Sequence, residues 1–152
     1  MKKILFIILS LALFTACERT IDEFKVEKGS TDLTRFVAVG NSMMSGYSDG
    51  ALYKSGQLTS IPNILAGQFQ LAGSGNFVQP VVNSEYGIQY PGATTKLVLG
   101  YSTDCRGTTS MGPVNAQGTL EPFAPVGYAV NNLGIPGAKS FHMLFTTLIT
   151  VQ

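Results

Sequence analysis

A serine between two glycines is the residue of this chain best placed to do covalent chemistry. Ser42 follows the short apolar run 35–39 and lies between Gly40 and Gly46. A short, β-branched apolar run that stops at a glycine predicts a buried strand. Ser42 would then stand exposed at the end of that strand, which is a position suited to a nucleophile.

A second glycine-rich turn follows another short apolar run. Residues 127–130 predict a strand, and the stretch 132–137 after it reads Asn-Leu-Gly-Ile-Pro-Gly. Glycines let the backbone approach a ligand closely, and the N–H groups of such a turn suit an oxyanion or a phosphate. The acidic residue that a dinucleotide site needs about twenty positions later is not present.

The two turns, taken together, resemble blocks I and II of the SGNH (GDSL-type) hydrolases. The positions that match the two blocks are Gly40, Ser42, Gly46, Asn132, Gly134 and Gly137. Asn41 stands where the family has Asp. The resemblance extends over residues 34–145 and is strongest to the lipoprotein members of Bacteroidetes-type bacteria.

This resemblance implies an α/β fold of the flavodoxin-like, three-layer kind. It implies that Ser42 is the nucleophile and gives one oxyanion N–H, and that Gly137 gives another. The implied reaction is hydrolysis of a carboxylester or acetyl ester through an acyl-enzyme, with no cofactor and no metal. An acylated glycan or a lipid is the candidate substrate. The alternative is a non-catalytic surface lipoprotein that binds glycan or a protein partner on the same scaffold.

The acid–base half of such a site is missing from the sequence. The family's Gly-x-Asn-Asp and Asp-x-x-His blocks do not occur, and the only histidine, His142, has Lys139 where an aspartate would be needed. A serine without a base is a weak nucleophile. We therefore expect this chain to be the N-terminal part of the hydrolase domain, lacking the later strands and inactive by itself.

The N-terminus has the pattern of an export signal. Lys2 and Lys3 precede an apolar run, 4–14, that is too short to cross a bilayer. Small residues before Cys17 resemble a lipobox, so we expect a signal peptide over 1–16 and a lipid on Cys17, which anchors the protein in the bacterial cell envelope. The alternative is an ordinary secretory signal.

The charges are concentrated behind this signal. Residues 18–35 carry nine of the nineteen charged side chains, which predicts a solvated tether over 17–35 and a folded domain over 36–152. The net charge of +1 gives no basic field for nucleic acid.

Within the domain, two further helices and a long insertion are expected. Ser60 and Pro62 predict the start of a helix whose apolar face contains Ile61, Ile64, Leu65 and Phe69. Residues 73–126 hold eight glycines and five prolines and predict loops with short strands, the clearest over 96–101. Ser140 predicts the start of another helix.

Overall fold

The computed structural model describes residues 25–144 and shows a mixed α/β protein with short helices and small sheets. The helices are α1 (Ser42–Ser45), α2 (Lys54–Leu58) and α3 (Ile61–Leu71), with a 3₁₀ helix over Ser140–Leu144. The strands are β1 (Ala38–Gly40), β2 (Ile88–Gln89), β3 (Leu97–Thr103), β4 (Thr109–Asn115), β5 (Glu121–Pro122) and β6 (Asn132–Gly134). Residues 1–24 and 145–152 lie outside this description, so the expected signal peptide, Cys17 and the first part of the tether lie there too.

The six strands form three separate pairs. β1 pairs with β6 in parallel, β2 pairs with β5 in parallel, and β3 and β4 form an antiparallel hairpin. Each of the two glycine turns follows one strand of the first of these pairs. No helix in the part of the chain described is long and apolar enough to span a membrane.

The predicted strand at 127–130 is wrong, because the second strand of the β1 pair lies at Asn132–Gly134 instead. β1 begins only at Ala38, so the residues before Asn132 have no strand beside them. Asn131 closes this end, since its backbone C=O accepts from Ala38 N–H and its side-chain amide donates to Phe36 C=O. The first half of the second motif is therefore strand, and only its last residues form a turn.

The predicted helix after Ser60 is confirmed, but its buried face is different from the one expected. Pro62 and Ala66 are buried and Phe69 is half-buried, whereas Ile61, Ile64 and Leu65 are exposed. The Phe69 ring meets Phe36 edge-on, with 5.1 Å between ring centres. The larger aliphatic side chains of this helix therefore lie outside its buried face.

The glycine- and proline-rich segment 73–126 contains four of the strands and no helix, as its composition predicts. The strand expected at 96–101 is β3. Its partner strand β4 was not predicted from the sequence. Glu121 connects the two ends of this segment, because its carboxylate accepts from the backbone N–H groups of Asn83 at 2.6 Å and Ser84 at 2.8 Å.

Candidate functional site

The parallel pairing of β1 and β6 brings the two glycine turns to one edge of the sheet. Gly40 is paired with Gly134, and the N–H of Ile135 donates to the Gly40 carbonyl at 3.0 Å. Neighbouring strands are about 4.8 Å apart, and both chains turn directly after this pair. Ser42 and Gly137 therefore lie beyond the carboxyl ends of adjacent strands, where α/β proteins bind their ligands.

Ser42 is the first residue of α1, a single helical turn. Asn41 caps this turn, since its side-chain oxygen accepts from Met43 N–H at 3.4 Å and its carbonyl accepts from Met44 N–H at 3.0 Å. Asparagine and aspartate are both among the preferred residues at such a position. Ser42 is half-buried, and neither its hydroxyl nor its N–H has a hydrogen-bond partner among residues 25–144.

Gly137 occupies the third position of a tight turn over residues 135–138. Ala138 N–H donates to Ile135 C=O at 3.0 Å, Pro136 is second in the turn, and Gly137 has a φ of 78°. This is a type II turn, which needs a positive φ at its third residue and so favours glycine there. The N–H of Gly137 has no partner in the described part of the chain, so this donor is free for a ligand.

The other motif glycines allow close backbone approach. A Cβ on Gly134 would lie 2.4 Å from the backbone nitrogen of Ser45, and one on Gly40 would lie 2.6 Å from Met44 Cγ. Gly46 ends α1 with a φ of 78°, and a Cβ there would lie 2.6 Å from Gln57 Cα. These glycines place α1 directly on β6, and α1 carries Ser42.

Asn132 fixes α1 to the sheet from inside the protein. Its side chain is 2% exposed and donates to the Met44 carbonyl at 2.7 Å and to Gln79 Oε1 at 3.1 Å, while its own oxygen accepts from Gly134 N–H at 2.9 Å. A buried amide with its hydrogen bonds made in this way orders its surroundings. Asn132 is therefore a positioning residue for the Ser42 turn.

Two glutamines, buried Gln57 and half-buried Gln79, continue this network, and neither was predicted from the sequence to have a role. Gln57 is 3% exposed, donates to the Pro80 carbonyl at 2.7 Å and accepts from Val82 N–H at 2.8 Å. Gln79 accepts from the Ser60 hydroxyl at 3.1 Å and donates to the Gln57 carbonyl at 2.5 Å. The only sequence signal for them was their place in the stretches Gly56-Gln57 and Gln79-Pro80, which belong to the wider resemblance.

No acid–base side chain among residues 25–144 is hydrogen-bonded to the Ser42 hydroxyl. His142 Nδ1 accepts from Lys139 N–H at 3.2 Å, and its ring lies 4.2 Å from that of Phe141. Tyr47 follows α1. The pKa of Tyr47 is raised, mainly by its hydrogen bond with the Tyr90 hydroxyl and secondly by partial burial. A phenol of raised pKa is a hydrogen-bond donor and not a base at neutral pH. The site thus has a serine and two N–H donors, without a base.

A separate polar cluster surrounds Tyr53. The Tyr53 hydroxyl donates to the Asp49 carboxylate and accepts from the Ser48 hydroxyl at 2.9 Å, and Lys96 Nζ lies 4.2 Å above its ring. Burial, followed by the bond to Asp49, raises the pKa of this phenol. Lys96 also pairs with Glu85 at 3.8 Å. The members of this cluster bond to one another and build the loop that follows α1.

The described residues contain no group of three or more histidine, cysteine, aspartate or glutamate side chains that could hold a metal ion. Comparison of the chain with protein-family models, with curated proteins and with solved structures found no match.

Proposed function

We propose that this protein is an exported, lipid-anchored serine acyl hydrolase of the SGNH type, with a flavodoxin-like, three-layer fold. The observation that carries the proposal is the parallel register of Gly40 with Gly134. It brings the ends of the two strands that precede Ser42 and Gly137 side by side, and the N–H groups of these two residues have no partner among residues 25–144. Two preorganised N–H donors next to a serine are what a tetrahedral acyl intermediate requires.

In the proposed reaction, the Ser42 hydroxyl attacks the ester carbonyl carbon and loses its proton to a base. The carbonyl oxygen becomes an oxyanion that accepts from Ser42 N–H and Gly137 N–H. Each such donor lowers the barrier by about 3 kcal/mol. The intermediate expels the alcohol and leaves an acyl group on Ser42, and water then releases the acid. Within residues 25–144, Ser42 contributes the nucleophile, and Ser42 and Gly137 contribute the N–H donors. The base is a group other than these two residues.

The test is ester hydrolysis by a full-length version of the protein that includes the base, because the chain without a base is expected to be inactive. Turnover of p-nitrophenyl acetate should fall to near background in Ser42→Ala, because only oxyanion and binding effects remain without the nucleophile. Ser102→Ala is the matched control, since Ser102 is an exposed serine on the β3–β4 hairpin. Equal turnover of Ser42→Ala and the unchanged protein would contradict the proposal.

The missing base favours one rival function. A surface lipoprotein that binds a glycan or a protein on the same scaffold needs the free donors of Ser42 and Gly137 but no proton acceptor. It would show saturable binding of a polysaccharide or partner together with no Ser42-dependent turnover in the same assay. The cell fraction of Cys17→Ser checks the anchor in both cases, because loss of the lipid should release the protein from the membrane.

A further inference from the structure

Helix α3 has an apolar face that residues 25–144 leave uncovered. At 3.6 residues per turn, four large aliphatic side chains fall within about 120° of the helix circumference. We call them the outer face of α3, and they are, with their exposed fractions, Ile61 (40%), Ile64 (54%), Leu65 (41%) and Leu71 (65%). The buried residues Pro62 and Ala66 lie on a different side of the helix. The outer face is therefore not the face that packs on the rest of the protein.

The segment that contains this face has no charge. From Ser55 to Ser84 the sequence contains no Lys, Arg, Asp, Glu or His, whereas about a quarter to a third of a typical protein surface is charged. Gln68 is the polar side chain that lies within the outer face, and it is uncharged. An aliphatic surface of this kind enters an apolar medium without the cost of removing water from an ion.

The expected tether joins the folded domain beside this helix. The Phe36 ring contacts the Phe69 ring of α3 edge-on at 5.1 Å and stacks on the Phe77 ring at 5.3 Å. A Cβ on Gly75 would lie 2.6 Å from the Thr34 carbonyl oxygen. Residues 34–36 therefore run alongside the end of α3 and the loop that follows it.

We propose that the outer face of α3 docks on the lipid bilayer that holds the acyl chains of Cys17. This inference rests on the proposed function, of which the lipid anchor is a part. Cys17 is seventeen residues before Thr34, so the two are at most about 60 Å apart even in a fully extended chain. The anchor makes the docking an intramolecular event, for which a short linker gives a millimolar effective concentration. A contact too weak to hold a free partner is then sufficient.

The composition of the outer face fits a bilayer better than a protein partner. Protein interfaces are enriched in Tyr, Trp and Arg, which supply most of their binding energy. The outer face has aliphatic side chains and one glutamine. The apolar face of an interfacial helix lies about 5–10 Å deep, at the boundary of the headgroups and acyl chains. Because no charge takes part, the docking should persist in about 1 M salt.

A single tryptophan makes the docking measurable in the full chain. The sequence contains no Trp, so Ile64→Trp adds one reporter to the outer face. Gln70→Trp is the matched control, since Gln70 is exposed on about the opposite side of the same helix. Each protein is purified from membranes in detergent and reconstituted into vesicles of phosphatidylcholine and phosphatidylglycerol. Half of the preparations contain bromine on the acyl chains, which quenches tryptophan fluorescence on contact.

The two reporters should differ in their quenching. The Ile64→Trp emission should fall by about half or more with brominated lipid, and the Gln70→Trp emission by less than about a tenth, because only the outer face reaches the acyl chains. Equal quenching at both positions, in protein that floats with the vesicles, would overturn the docking and leave the anchor intact. Blue-shifted emission of Ile64→Trp without quenching would also overturn it, because a second copy or a protein partner then covers the face. Protein that does not float with the vesicles would contradict the anchor, and the docking with it.

Discussion

At the scale of single residues, the motif positions separate into those whose N–H groups have no partner among residues 25–144 and those that let the backbone pack closely. Ser42 and Gly137 offer free N–H groups at the sheet edge. Gly40, Gly46 and Gly134 instead leave no room for a Cβ, because α1 or α2 lies against them. The sequence pattern places these glycines in the two motifs without separating their roles, and only the structure shows which of them have a packing role.

Gly134 gives the clearest test of this packing role. Gly134→Ala should lower the free energy of unfolding by about 1–3 kcal/mol, because its Cβ would meet the Ser45 backbone nitrogen at 2.4 Å. Gly112→Ala is the matched control on β4, where nothing lies within 4 Å, and it should leave stability unchanged or raise it by up to about 1 kcal/mol. Urea unfolding of both variants measures the difference. Equal effects would show that α1 does not lie on β6 as described.

At the scale of elements, local sequence patterns predicted that helices and strands form. They did not always predict the bounds of a strand or the buried face of a helix. The helix after Ser60 and the parallel relation of the two glycine turns follow from capping residues and from short apolar runs. The strand expected at 127–130 fails because β1 is only three residues long, which no local pattern reveals. The helix α3 meets the rest of the protein through the Ser60–Gln79 hydrogen bond and the Phe36–Phe69 ring contact, and neither tertiary contact can be read from the local pattern.

The glycines of α2 and α3 differ in the space around them, so substitution by alanine should have opposite effects on stability in the two helices. Gly67, in α3, has nothing within 4 Å of a Cβ, so Gly67→Ala should raise the free energy of unfolding by about 0.5–1 kcal/mol. Gly56, in α2, would place a Cβ 2.8 Å from the Gly46 carbonyl, so Gly56→Ala should lower it by about 1–3 kcal/mol. Thermal unfolding followed by circular dichroism compares them. Stabilisation by both alanines would contradict the packing of α2 against the Ser42 turn.

At the scale of the whole molecule, the described residues are joined more by polar networks than by a large apolar core. Ala38, Ala51, Tyr53, Ala66 and Ala116 are the buried hydrophobic residues among them, and they are accompanied by buried Ser45, Gln57, Ser60 and Asn132. Val37 and Val39, which lie on one face of the β1 segment, are each more than half exposed. Parallel sheets are usually covered on both faces. Apolar patterning alone predicts these valines as core.

The hydrogen bonds of Glu121 make the stability of the fold depend on pH. Although burial alone would raise its pKa, the hydrogen bonds from Ser84 N–H, the Asn83 side chain and Asn83 N–H together lower the pKa of Glu121 below the usual 4.5. A carboxylate whose pKa is lower in the folded chain than in the unfolded chain stabilises the fold at pH values above the unfolded-state pKa. This contribution is lost as the pH falls below about 4.5.

The free energy of unfolding should therefore fall between pH 5 and pH 3 in the unchanged chain. In Glu121→Gln it should be lower by about 1 kcal/mol at pH 7, because the amide oxygen keeps the two backbone donors but loses the charge that strengthens these exposed hydrogen bonds, and this part of the acid dependence should disappear. Glu27→Gln, at an exposed position with no described hydrogen bond, should keep the acid dependence. Identical pH profiles for Glu121→Gln and the unchanged chain would contradict the role of this carboxylate.

The central claim is that Ser42 and the N–H groups beside it form a site for an acyl-type transition state. The most direct measurement is the rate at which a fluorophosphonate probe labels each serine of this chain, resolved by peptide mass spectrometry, with imidazole added as the base. We expect Ser42 to react at least about 100-fold faster than exposed Ser102, since one oxyanion donor alone contributes that much, and little labelling without imidazole. Labelling of Ser42 and Ser102 at equal rates in the folded chain would contradict the account.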